Sequence, residues 1–231
     1  MFAAAMSVAT SAQAASVSVG DSSASWLGYM NVSNLPADGG AFQFGQTWGV
    51  SDLNVSFDDA AEAITFTPNS VADPNEYWYK GGRPGEDPGN PNDNGGSGAP
   101  GNKNMQANLY IEVNDNSLAG QTVDFTGTID SYSLTGAHTF QVFIRDFAPD
   151  YSSSFDTFVP VSASGAFSAS ITTDPGAGRH IQYGFQMTGE NVWSTDLAPF
   201  GSVVISSAAV PEPSSALLGL LGLAFIARRR R

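Results

Sequence analysis

The chain has 231 residues, 42% of them apolar and only 13% charged, with 25 glycines, no cysteine and a formal net charge of −13. Without cysteine there is no disulfide framework, zinc–thiolate site or thiol nucleophile. The acidic surface argues against nucleic acid, whose binding rests on neutralised phosphates, and against anionic membrane, and it favours cations, calcium above all.

The size suits one domain plus processing segments. Four of the nine basic residues stand at 228–231, so the body holds only Lys80, Arg83, Lys103, Arg145 and Arg179 against about twenty carboxylates. Few charges and many Gly, Ser, Thr, Asn and Asp residues suit short strands joined by turns rather than long helices.

The chain starts with a small, apolar segment, Phe2 to Ala15, ending in Ser11-Ala12-Gln13-Ala14-Ala15. Ala12 and Ala14 form the A-x-A pattern that a signal peptidase reads through a pocket for small side chains. Residues 1–15 are therefore expected to be a signal peptide, with a mature chain from Ala15 or Ser16. The segment is short and lacks a basic residue after Met1, which a start codon assigned too late explains.

Four segments then alternate with period two, the mark of strands with one buried face. In Gln106–Val113, Ala107, Leu109, Ile111 and Val113 oppose Asn108, Tyr110 and Glu112. In Thr122–Ile129, Val123, Phe125 and Ile129 share a face, and in His138–Asp146, Phe140, Val142 and Ile144 do. In His180–Thr188, Ile181, Tyr183, Phe185 and Met187 oppose Gln182, Gly184, Gln186 and Thr188. Shorter candidates are Trp26–Val32, Ala41–Phe44, Leu53–Phe57, Ala63–Thr67, Thr157–Val161, Ala166–Thr172 and Ser202–Ser206, separated by turn chemistry such as Asp73-Pro74-Asn75 and Asp174-Pro175-Gly176. No helical pattern of useful length interrupts them. The expected fold is all-β: a two-sheet β-sandwich over residues 16–207, jelly-roll-like, followed by a short C-terminal apolar helix. Residues 106–206 resemble galactose-binding-like carbohydrate-binding modules in strand spacing and in the ending Trp193…Phe200-Gly201-Ser202-Val203-Val204-Ile205.

Gly81 to Asn104 is crowded with Gly, Pro, Asn and Asp and reads as a long surface loop of the same domain. Its hard oxygen donors Glu86, Asp87, Asn92 and Asp93 suit calcium, although their spacing is not that of an EF-hand, and a solvated turn-rich loop is the competing reading. Tyr77-Trp78-Tyr79 precedes this loop and Trp193 lies in another. Such rings stack on sugar faces, or else plug an end of the sandwich.

Catalytic signals are faint. Gly20-Asp21-Ser22 matches the nucleophile block of GDSL hydrolases without an Asp-x-x-His block, and His138 and His180 stand at strand starts. Glu112 with Asp124 or Asp146 is the candidate pair for glycoside hydrolysis.

The end of the chain is the most specific feature. Val210-Pro211-Glu212-Pro213 leads into an uncharged run, Ala216–Ala227, closed by Arg228, Arg229, Arg230 and Arg231. The prolines break any helix before the run. The run falls short of the ~20 residues that span a bilayer comfortably, and the arginines would stay cytoplasmic. In this order the three parts resemble the PEP-CTERM sorting signal. The resemblance implies an exosortase-type protease that removes residues 210–231 after transient membrane insertion, and a Gram-negative host that makes extracellular polysaccharide. The expected function is a non-enzymatic surface or matrix protein associated with exopolysaccharide and able to bind glycan. The alternatives are a secreted polysaccharide-degrading enzyme and a self-associating structural component.

Overall fold

The computed structural model describes residues 14–207. They form twelve strands: β1 (Ala14–Ser18), β2 (Trp26–Asn34), β3 (Phe42–Trp48), β4 (Val55–Asp58), β5 (Ala63–Phe66), β6 (Lys103–Val113), β7 (Thr122–Tyr132), β8 (His138–Phe147), β9 (Ser154–Val161), β10 (Gly165–Thr172), β11 (His180–Glu190) and β12 (Val203–Ser207). The only helices among the described residues are three single 3-10 turns, and none is long and apolar enough to cross a membrane. The expected apolar C-terminal helix lies outside the described residues.

The strands build two six-stranded sheets, the two-sheet sandwich that the alternation predicts. The first sheet runs β4-β5-β12 to β7, with β10 on the far side of β7; the second runs β3-β2-β6-β11-β8-β9. The alternating apolar residues meet between them, as the period-two pattern requires. Phe185 on β11 is fully buried, with the rings of Trp26, Phe66, Phe125, Phe140 and Phe167 around it at centroid distances from 5.4 to 6.4 Å.

Three details depart from the sequence reading. The long polar loop closes at Asn102, because Lys103 and Asn104 already pair with Asn34 and Ser33 of β2. The loop is also tied to the body by backbone bonds: Lys80 N–H to Pro100, Gly95 N–H to Pro74 and Asn102 N–H to Trp78, at 2.7–2.9 Å. Finally, β1 occupies Ala14–Ser18, a stretch without a period-two pattern long enough to predict a strand. It pairs in parallel with Thr122–Thr126 of β7, while β12 pairs antiparallel with Gly127–Tyr132 on the same strand. The two ends of the described chain thus dovetail, and the Ser207 hydroxyl donates to the Val19 carbonyl at 2.7 Å.

Candidate functional site

The outer face of the second sheet carries a groove of about 620 Å³. It is assembled by register. Across β6, β11, β8 and β9, the outward residues Glu112, Gln182, Arg145 and Asp156 stand in one row. In the next rows Tyr110, Gly184, Phe143 and Phe158 align, then Tyr29, Asn108, Gln186 and Gln141. Gly184 is required here: a Cβ at that position would lie 2.1 Å from the Leu109 carbonyl oxygen and 2.9 Å from the Tyr110 Cβ.

A web of amides adjoins the groove, of which Gln182 and the Arg145 that joins it line the groove itself. Asn108, Gln182 and Gln186 are buried. The Asn108 side chain donates to the Tyr29 carbonyl at 3.1 Å, and its Oδ1 accepts from Gln186 Nε2 at 2.7 Å and Arg145 Nη2 at 3.1 Å. Buried polar groups satisfied in this way rigidify a surface instead of costing stability. The Arg145 guanidinium lies 4.0 Å from the Phe143 ring centroid and 5.3 Å from that of Phe158. Burial pulls its pKa below the ordinary value, and the charge of Asp156 opposes that pull.

One wall is the β8–β9 connection. Tyr151 there has φ of 57°, a left-handed conformation that costs a non-glycine residue free energy and is concentrated at functional sites. Its ring stacks on His180 at 4.2 Å and stays 50% exposed. Its hydroxyl donates to Glu112 Oε1 at 3.1 Å and lies 2.8 Å from His180 Nδ1. Glu112 also accepts from His180 Nδ1 at 3.0 Å and from Gln182 Nε2 at 2.7 Å. Burial first, and the Glu112 charge second, push the Tyr151 phenol up to about 12, so it remains a proton donor. Phe158 is also 41% exposed, which leaves two rings open to a ligand above hydrogen-bonding side chains.

The residues singled out from the sequence fall elsewhere. Tyr79 and Trp193 do come together, edge to face at 5.2 Å, but as packing. Tyr79 is fully buried and its hydroxyl donates to the Val71 carbonyl at 2.6 Å, so it offers no face to a sugar. Trp78 packs edge-on against Phe44, and the ring of Tyr77 sits under the Lys103 ammonium at 4.4 Å. These aromatics anchor the polar loop. The acids of that loop hold it closed: Glu86 accepts from the Gly82 and Arg83 backbone, Asp87 from Gly89, and Asp93 from Arg83 and the Asp87 backbone. Asn92 donates its backbone N–H to Asn90. One acid of the expected calcium set, Asp93, is thus paired with the Arg83 guanidinium, and the described residues hold no group of three His, Cys, Asp or Glu side chains placed for a metal.

Of the catalytic candidates, Ser22 donates to Asp59 at 2.6 Å rather than to a histidine. His138 is buried at a strand start with Nε2 against the Glu190 carbonyl, and burial lowers its pKa. Glu112 meets neither proposed partner: Asp124 stands on the other sheet, and Asp146 points inward and pairs with Arg179 at 2.7 Å.

Sequence reasoning placed Glu112, Tyr110, Asn108 and Gln182 on outward faces and gave only Glu112 a role, with partners the structure does not bring to it. Residue type gave no signal, because Asn and Gln are ordinary on a solvated face; strand order across the sheet is what brings these residues together.

Fold and groove define an all-β sandwich with a polar, aromatic-rimmed recess on one sheet. Its tail defines its route: residues 209–231 match the family described as the PEP-CTERM protein-sorting motif. The match takes in the Pro211-Glu212-Pro213 motif, the apolar run and the arginines, and it marks an exported, cell-surface protein sorted by an exosortase. No curated protein and no solved structure matches the chain.

Proposed function

We propose that this is an exported matrix or surface protein of a Gram-negative bacterium that associates with exopolysaccharide by binding glycan in the second-sheet groove, without altering it chemically. A signal peptidase cuts after Ala14, leaving Ala15–Ser18 for β1, and an exosortase-type protease removes the tail after transient insertion of residues 216–227. The observation that carries the glycan reading is the pairing of exposed rings, Tyr151 and Phe158, with a pre-organised set of donors and acceptors: Glu112, Gln182, Arg145 and Asp156. Sugars need both, an apolar face to stack on and fixed hydrogen-bond partners for the hydroxyls. The resemblance of residues 106–206 to carbohydrate-binding modules points the same way.

The partners of the groove carboxylates favour a binder over a hydrolase: Glu112 accepts from Tyr151 and Gln182, and Gln182 and Arg145 stand between it and Asp156.

Affinity electrophoresis of the chain in mild detergent, through gels containing neutral or acidic polysaccharides, tests this. We expect retardation by at least one polymer, insensitive to chelator. Tyr151→Asn keeps a residue that tolerates the left-handed backbone and removes the ring, so binding should weaken about tenfold. Unretarded migration in every polymer would sink the glycan reading, and new reducing ends would turn it into a hydrolase.

A further inference from the structure

The sheet edges of this sandwich are guarded unequally. A free edge exposes a row of N–H and C=O groups that templates pairing with another chain, and proteins blunt such edges with charge, proline, brevity or cover. On the second sheet, β9 carries Asp156 and Pro160. On the first, β4 has four residues and ends in Asp58, followed by Asp59. The β10 edge lies beside β9, where the Thr157 hydroxyl donates to the Ser170 carbonyl at 3.1 Å.

Two edges remain: β1, which is blunted by its brevity at five residues, and β3, which has none of these devices. Its seven residues, Phe-Gln-Phe-Gly-Gln-Thr-Trp, include no charge and no proline, and none of them is buried. Phe42 is 64% exposed, the most exposed large apolar side chain among the described residues. Among those residues β3 pairs with β2 alone. The uncharged stretch runs from Gly39 to Ser51, in a chain with a net charge of −13.

We infer that β3 is a self-association edge through which a second copy of this chain adds its own β3 in antiparallel register. Charge selects the occupant. Two strongly acidic bodies repel each other over most of their surfaces, and this stretch lets their backbones meet with no carboxylate opposite another. The pairing is isologous, the same residues on both sides, as a closed two-fold dimer requires. Joining two second sheets in this way makes one sheet of twelve strands.

Geometry gives the dimer a further property. Antiparallel pairing of identical strands places the two-fold axis perpendicular to the sheet, so both outer faces point to the same side. The groove reaches Thr47 on β3 itself, so two grooves come to lie on one continuous face, an arrangement that adds avidity for any repeating polymer. The pairing stands on the edge alone and is independent of what the groove binds.

Sedimentation velocity of the full chain, in mild detergent that shields the apolar tail, is the test. We expect concentration-dependent dimers without added polysaccharide. The double variant Gln43→Lys/Gln46→Lys places cations at two exposed edge positions and should raise the dimer dissociation constant about tenfold or more, with an unchanged circular dichroism spectrum. The chain has no cysteine, so single cysteines placed in turn along β3 report the pairing cleanly: only a residue on the two-fold axis faces its own copy within disulfide reach, so oxidation should yield linked dimers at one position of the series, whereas Thr157→Cys on β9 should not. A monomer at all concentrations, a dimer indifferent to the two lysines (association through the tail), or equal cross-linking from β9 would each overturn the inference.

Discussion

Asp146 is completely buried, and three contacts hold it in place. Arg179 Nε donates to it at 2.7 Å, the Asp174 backbone N–H donates at 2.7 Å, and Arg179 Nη2 reaches its carbonyl at 2.8 Å. Asp146→Ala would leave a guanidinium only 8% exposed without its counter-charge, a loss that costs about 3–5 kcal/mol. Replacing both partners by apolar residues, Asp146→Leu with Arg179→Met, should cost clearly less, since no uncompensated charge remains. Urea unfolding of the two variants decides between them, and equal losses would show that the pair is not coupled. The sequence already held the clue to this residue. Asp146 continues the inward series Phe140, Val142, Ile144, so parity alone removes it from a surface acid pair with Glu112. Tyr151 is the contrary case. Its importance rests on a backbone angle and on His180 lying 29 positions further along, and neither can be read from residue types.

At the level of elements, alternation revealed the long strands because each buries one face against the other sheet, a constraint written into every second residue. It failed for β1, whose Ala-Ala-Ser-Val-Ser reads equally as the end of a leader. It also failed for the groove, because strand order decides which outward residues become neighbours, and β2, β6, β11 and β8 adjoin in a sequence that no local pattern encodes. The tied polar loop was legible as a loop, but its anchors are long-range backbone bonds. The placement of β1 makes a prediction. Val17 packs partly buried against the core beside Phe125 of β7. If β1 belongs to the mature fold, Val17→Asp should lower the unfolding free energy by about 1–3 kcal/mol, the range for burying an unpartnered polar group. An unchanged urea midpoint would mean that the first strand is dispensable and that processing extends past it.

At the scale of the whole molecule, the ends of the sandwich are bound to its middle. β1 and β12 sit end to end along β7, with Ser18 opposite Thr126 and Ser207 opposite Gly127. One residue, Ala208, separates the last strand from the matched sorting motif. A cut near Val210–Ser215 therefore removes none of the described strands. The described sandwich, with its groove and its β3 edge, lies wholly before the matched motif. Mass spectrometry of the protein recovered from the surface of an exosortase-bearing host should find Ser206 and Ser207 present and Arg228–Arg231 missing. Replacing Pro211 and Pro213 by alanine restores helix-competent backbone where the prolines forbid it and removes the Pro-Glu-Pro part of the matched motif. The full-length variant should then accumulate in the membrane fraction, still folded by circular dichroism. Surface material that retains the arginines in the unmodified chain would rule out release by cleavage and make the tail a permanent anchor.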